Sequence, residues 1–238
     1  MLSVSTALAR LRDGLSEPFP DSPGTRIIDI AFPLNDAFDP LLWCGQQPQW
    51  PQFYWQQRNG DEEMAALGAV KSFPSLDAAN RFLHQAGRQD LRICGLNAFA
   101  LQQGRLVLPR LEWRRCGGRA VMRLVLHSDL SLRDDAMTAR DFLASLTTAQ
   151  ATPGGVPPLL SERHSSDYPL WQAMIDLATQ AIAAGDMDKV VLARATDLQF
   201  AAPLDAVSIM AASRSRNLNC FHFLMAFNAR QAFFGSTP

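Results

Sequence analysis

Apolar residues recur at helical spacing near the start of the chain. Val4, Leu8, Leu11 and Leu15 share one face of a predicted helix over residues 3–16, with the charges opposite. Pro18, Pro20 and Pro23 end it. The period then drops to two. Arg26 to Phe32 reads as a strand with Ile28, Ile30 and Phe32 on one side, and residues 33–51 are less regular. Gln52 to Arg58 is a second strand, and Asn59-Gly60 after it is the dipeptide a type I′ hairpin turn prefers. The return strand is roughly Met64 to Phe73. Ser75 caps a helix running to about Ala86, with Leu76, Ala79, Phe82 and Leu83 inward and Gly87 as the stop.

Strands follow at Leu91–Phe99, Arg105–Trp113 and Ala120–His127, separated by turns at Gln103-Gly104 and Gly117-Gly118. Pro109 cannot donate to a ladder, so it predicts an edge or a bulge. A helix from about Asp134 to Leu146 completes an N-terminal α+β portion, residues 1–150. Residues 151–166 lie in a Pro/Gly-rich connection that begins near 147. Beyond it, Trp171, Ile175, Ala178 and Ile182 mark the strongest helix, Tyr168 to Met187. A strand is predicted over Lys189–Phe200, then a helix over Leu204–Arg216, a strand over Cys220–Phe227, a turn at Asn228–Gln231 and a strand over Ala232–Gly235. Hairpin signals between isolated helices predict an α+β fold with antiparallel sheets and flanking helices.

Composition removes several function classes. Apolar residues are 47% of 238, enough for a substantial core, while 22 Lys+Arg against 23 Asp+Glu give no global field for nucleic acid or an acidic membrane surface. The four cysteines are far apart, with no C-x-x-C pair and no His at metal-ligand spacing, which predicts reduced thiols and a cytoplasmic protein. Arg10, Arg12 and Asp13 interrupt any signal-peptide core, and no run reaches the length of a membrane span.

No G-x-S-x-G, Walker loop, G-x-G-x-x-G or H-E-x-x-H occurs. His84, His127, His164 and His222 are scattered and read as structural or exposed. Arg110, Arg114, Arg115 and Arg119 surround Trp113 and read as a solvated hairpin. The candidate that stands out is Lys189. It lies at the mouth of the apolar run Val190-Val191-Leu192, where a lysine is costly unless something uses it. It can be a strand-end lysine that snorkels to water, or a neutral amine acting as a general base.

The stretch Trp171…Ile182…Gly185…Lys189-Val190-Val191-Leu192-Ala193-Arg194 resembles a hallmark of the chorismate-utilising enzymes, which include anthranilate, aminodeoxychorismate, isochorismate and salicylate synthases. Phe223…Phe227…Phe233-Phe234-Gly235-Ser236-Thr237-Pro238 is similar to their second hallmark, F-x-G-S/A-S/T-P-E. Phe53 to Glu63 and Pro109 to Gly118 resemble the menaquinone-pathway isochorismate synthases in particular. The resemblance covers essentially the whole chain.

It implies conversion of the small-molecule substrate chorismate to isochorismate. Family members that add ammonia tend to carry glutamine at the position of Lys189, and those that add water carry lysine. Lys189 would then activate water for attack at C2, while a glutamate on the other side protonates the departing C4 hydroxyl. Mg²⁺, held by further glutamates, would grip the ring carboxylate. The glutamate of the second hallmark should follow Pro238, and the metal-binding glutamates come later. Residues 167–238 are therefore expected to be the start of a truncated chorismate-binding portion, with an incomplete fold, no metal ligand assigned to Glu112 or Glu162, and the missing C-terminal half as a candidate partner. Salicylate synthase and a non-catalytic truncated product are the alternatives. Gly235 to Pro238 is expected as a loop entering the active site.

Overall fold

The computed structural model describes residues 3–33, 37–88, 90–99, 103–116 and 118–238. The chain divides into two compact units, one made of Met1–Gly154 with Asp205–Pro238 and the other of Gly155–Leu204. The fold is α+β with antiparallel pairing throughout the described sheets, as the hairpin pattern predicts.

The larger unit is built on one sheet. Its strands are β1 (Gly24–Pro33), β2 (Gln52–Gln56), β3 (Glu63–Phe73), β4 (Cys94–Asn97), β5 (Gly104–Cys116), β6 (Arg119–Ser128), β9 (Phe221–Asn228) and β10 (Gln231–Thr237). Their order is β1-β6-β5-β3-β2-β9-β10, with β4 paired to β5. Four helices supply one apolar layer: α1 (Val4–Gly14), α2 (Pro40–Gly45), α4 (Leu132–Ser145) and α6 (Ala206–Arg216). Leu8, Leu11, Trp43, Leu143 and Met210 meet Tyr54, Leu67, Leu111, Leu124 and Leu224 of the sheet in a single buried core. A smaller core on α3 (Leu76–Ala86) joins Ala79 to Phe73, Leu108 and Val125.

Local chemistry explains the helix ends. Ser3, Ser75 and Ser131 accept from the backbone N–H of Thr6, Ala78 and Asp134, and Gly87 closes α3 at φ +60°. Asn59-Gly60 differs from the expected turn. Only Gly60 has positive φ, and Gln57 N–H bonds to Glu62 C=O, so the loop has four residues and is not type I′. The Gly104 end of the Gln103 turn and Gly118 are described, while residues 100–102 and Gly117 lie outside the described residues.

Pro109 takes the bulge that its missing N–H predicts. The register against β3 shifts between Ala69 and Lys71, opposite Pro109 and Leu108. On its other side β5 pairs β4 over Gly104–Val107 and β6 over Leu111–Cys116, so Pro109 falls between the two ladders. The Arg110 guanidinium donates to Val125 C=O at 2.9 Å beside the gap.

The division into units differs from the expected 1–150, 151–166 and 167–238. Backbone pairing of β9 with β2 places residues 205–238 in the same unit as the start of the chain. The connection also contains a strand, β7 (Leu159–His164), paired with β8 (Thr196–Phe200). Gly235 to Thr237 lie in β10 and not in a loop.

Gly68 lies mid-strand at φ +66°, and a Cβ there would come within 2.7 Å of Phe142 Cε2. Gly68→Ala is expected to destabilise the larger unit by roughly 2 kcal/mol through backbone strain and the clash together. Urea unfolding should show this, and adding Phe142→Leu should recover the steric part only. Unchanged stability in the single variant would refute this account of β3.

Candidate active site

The smaller unit carries the first hallmark. Asp167 caps α5 (Tyr168–Ala184), and Gly185 ends it in the left-handed region. Arg163 of β7 pairs with Asp197 of β8 at 2.8 Å, and His164 bonds to Thr196. Ser166 is the one buried residue of this unit. Tyr168, Leu170, Leu177, Val190, Val191 and Leu198 are exposed.

Lys189 lies in an irregular, exposed segment between Gly185 and Thr196. The strand predicted from Lys189 starts at Thr196, because nothing among the described residues pairs with the backbone of Val190–Arg194 in a ladder. Val190 and Val191 are 42% and 79% exposed, so the apolar run does not desolvate the amine in this chain. No local signal could have foreseen this, since burial of the run depends on what packs over it.

The second hallmark is better defined. On β10, Phe234 and Ala232 turn toward the main core, while Phe233 stacks on Phe223 at 5.6 Å on the opposite face. Gly235 is directly opposite Phe223, and a Cβ on it would reach 2.9 Å from that ring. The hallmark glycine therefore has a packing reason. On the same face, Trp55 stacks on Phe221 at 6.0 Å and Arg58 lies over Phe221, giving an aromatic surface along β2, β9 and β10.

Beneath this sheet a charged network ties α6 to the strands. Arg214 donates to Tyr54 Oη at 2.7 Å and pairs with Asp39, and Tyr54 Oη donates to Glu63 at 2.7 Å. Arg115 pairs with Glu63 at 3.1 Å. Burial pushes the Glu63 carboxyl up, opposed by the hydrogen bond from Tyr54 and by the charges of Arg115 and Arg214. Residues 213–236 continue the network, since Ser236 Oγ lies 2.8 Å from both His222 Nδ1 and Ser213 Oγ. Sequence reading passed over Arg214, Tyr54 and Glu63, whose partnership spans some 150 residues of chain.

Of the arginines around Trp113, Arg119 is exposed as a solvated hairpin requires, but the other three are not free in solvent. Arg110 is buried against Asp135 at 2.6 Å, Arg115 reaches Glu63, and Arg114 sits 3.5 Å from Glu112. Asp135 on α4 is what makes burial of Arg110 tolerable, and its place beside β5 is not visible in local sequence. His127 and His222 are held by hydrogen bonds to Thr25 and Ser236, while His84 is exposed.

Glu112 is fully buried, and neither carboxylate oxygen has a hydrogen-bond partner. Burial pushes its carboxyl up to about 7, against the pull of Arg114, Arg123 and Arg92. Among the described residues, no three His, Cys, Asp or Glu side chains converge where they could hold a metal ion. Nor does any described helix have the length and apolar character to cross a membrane.

A model of the chorismate binding enzymes matches residues 96–238, and the chain belongs to that family. It is 56% identical to isochorismate synthase MenF of Escherichia coli over 100% of its own length and 56% of the relative's. It is 30% identical to isochorismate synthase MenF of Haemophilus influenzae, covering 85% of this chain and 46% of that one. The solved structure of MenF, the menaquinone-specific isochorismate synthase from Escherichia coli, superposes with a TM-score of 0.92 at 55% identity, covering 100% of this chain and 56% of that one. The chain thus spans about half the length of the relatives it matches.

The Glu112 carboxyl gives a pH test. Its folded value stands above the ordinary 4.5, so the proton is bound more tightly in the folded state. Its stabilising effect is full below about pH 4.5 and is lost as pH rises through about 7. The loss is of order 3 kcal/mol. Glu112→Gln should flatten this part of the profile and leave the variant more stable than the parent at pH 8, as read by urea unfolding at pH 5 and pH 8. Parallel profiles for the two proteins would contradict the assignment.

Proposed function

We propose that this chain carries the N-terminal half of an isochorismate synthase acting in the cytoplasm in menaquinone biosynthesis, and that it acts on chorismate. The observation that carries the reading is the likeness to the Escherichia coli isochorismate synthase, 56% identical along the whole of this chain. Lysine at position 189 agrees with water, and not ammonia, as the nucleophile. Water needs a base to remove its proton, and ammonia does not.

In this reading Lys189 takes a proton from water at C2 of chorismate. For that it has to be shielded from bulk water, and the segment that carries it is exposed. The shielding would come from packing over the apolar surfaces of α5 and Val190-Val191. Those surfaces support the idea that the smaller unit closes against a further portion of protein, which would also supply the acid for the C4 hydroxyl.

Mg²⁺ would serve the reaction by neutralising the ring carboxylate. The described residues do not fit it. Asp39 and Glu63 are already committed to Arg214 and Arg115, and among the described residues Glu112 is part of no group of three His, Cys, Asp or Glu side chains that could hold a metal. No step on this chain is assigned to the metal.

A chimera joining these 238 residues to the remaining portion of the Escherichia coli relative tests the reading. With chorismate and Mg²⁺ it should form isochorismate, and the 238-residue chain alone should not. Lys189→Gln in the chimera should cut water addition by at least 100-fold, and added ammonia should restore amination at C2. Normal hydration by that variant would remove Lys189 from the role of base. Salicylate as the product of the parent chimera would favour the salicylate synthase reading.

A further inference from the structure

The edge strand β10 has a register problem. Among the described residues it pairs with β9 alone, and it begins in a bulge between Gln231 and Ala232. Its sequence, Ala232-Phe233-Phe234-Gly235-Ser236-Thr237, places one phenylalanine on each face. A slip of one residue would exchange Phe233 for Phe234, so hydrophobic patterning scarcely distinguishes the two registers.

Two positions do distinguish them. Gly235 must stand opposite Phe223, because any side chain there meets the ring. Ser236 stands opposite His222, which is 4% exposed, and its hydroxyl is shared between His222 Nδ1 and Ser213 Oγ, each at 2.8 Å. Asn217 Nδ2 donates to Ser213 Oγ at 3.1 Å. A consistent run of donors follows, in which Asn217 donates to Ser213, Ser213 to Ser236, and Ser236 to an unprotonated Nδ1 of His222. Burial, and then the Arg214 charge, hold His222 below the ordinary imidazole range, in keeping with that acceptor role. Arg214, next to Ser213, fixes the same turn of α6 to Tyr54 and Asp39. The helix end is thus anchored on one side to β2 and on the other to β10.

We propose that Ser213, Ser236 and His222 are positioning residues: their shared hydroxyl bridge locks the register of β10 and so sets how the second hallmark presents Thr237-Pro238. The role in the reaction rests on the isochorismate synthase reading, whereas the register lock does not. Slippage would turn Thr237 from one face of the strand to the other.

Two measurements separate the parts. In the 238-residue chain, amide exchange and cross-strand contacts between Ser236 and His222 are followed by NMR. Ser236→Ala and Ser213→Ala should each speed exchange of the β10 amides at least 10-fold, with those of β2 and β3 unchanged, and the double variant should do no more than Ser236→Ala alone. Ser236→Thr, which keeps the hydroxyl, should remain close to the parent. Should Ser236→Ala fail to fold, Ser213→Ala removes the Ser213–Ser236 hydrogen bond from the helix side, leaves that of Ser236 to His222, and carries the test. In the chimera, the alanine variants should lower kcat at least 10-fold with KM for chorismate within twofold. Parent-like exchange in both alanine variants would overturn the register lock. Faster exchange with parent-like kcat would overturn the catalytic role alone. A parent chimera without isochorismate synthase activity, with exchange changed as expected, would refute the function and leave the lock standing.

Discussion

The pairing of β2 with β9 is the constraint on which the larger unit depends. It aligns Phe53 with Met225, Tyr54 with Leu224 and Trp55 with Phe223, residues about 170 positions apart. Closing so long a loop is entropically costly, and local sequence does nothing to offset it. What offsets it is burial on one face and charge on the same side. Tyr54 and Leu224 are fully or almost fully buried in one core. Arg214, carried on the helix before β9, finds Tyr54, Asp39 and Glu63 waiting in the first half of the chain. Loss of Asp39 or Glu63 would leave Arg214 with one carboxylate in place of two, and loss of Tyr54 would remove the hydroxyl that links Arg214 to Glu63, so the network favours this pairing over others.

Two surfaces follow from that arrangement. The helical side of the sheet is closed by α1, α2, α4 and α6, so Leu8, Trp43 and Met210 see no solvent. On the opposite side the aromatic rings of Trp55, Phe221, Phe223 and Phe233 remain partly accessible, with Phe233 at 53%. The smaller unit has almost no buried residue at all. Both observations agree with a chain that spans about half the length of its relatives. The hallmark bearing Lys189 is held loosely, and the hallmark bearing Ser236 is held by a strand, a ring and a hydroxyl bridge.

Much of the fold was legible from neighbouring residues. Val4, Leu8 and Leu11 marked α1, Ser75 marked the start of α3, and Pro109 announced an edge or a bulge. Each of those signals acts within a few positions of itself. What escaped depends on distance. The attachment of β9 to β2, the burial of Arg110 by Asp135 and the Arg214 network join residues that local periodicity cannot relate. The strand predicted from Lys189 failed for a related reason. Val190-Val191-Leu192 has the composition of a buried strand, but a strand needs a neighbour to pair with, and none is described beside it. For the candidate site, the family hallmarks drew attention to Lys189 and the Gly235-Ser236 pair, while the packing of Gly235 and Ser236 emerged only from the cross-strand partners Phe223 and His222.

Residues 205–238 fold as part of the first unit, across an intervening segment. Mild trypsin cleavage in the exposed segment at Lys189 or Arg194, followed by native size-exclusion chromatography, tests it most directly. The piece that carries α6, β9 and β10 should co-elute with the N-terminal piece and separate from it only under denaturing conditions. Separation of the two pieces under native conditions, with the N-terminal piece still folded, would contradict it.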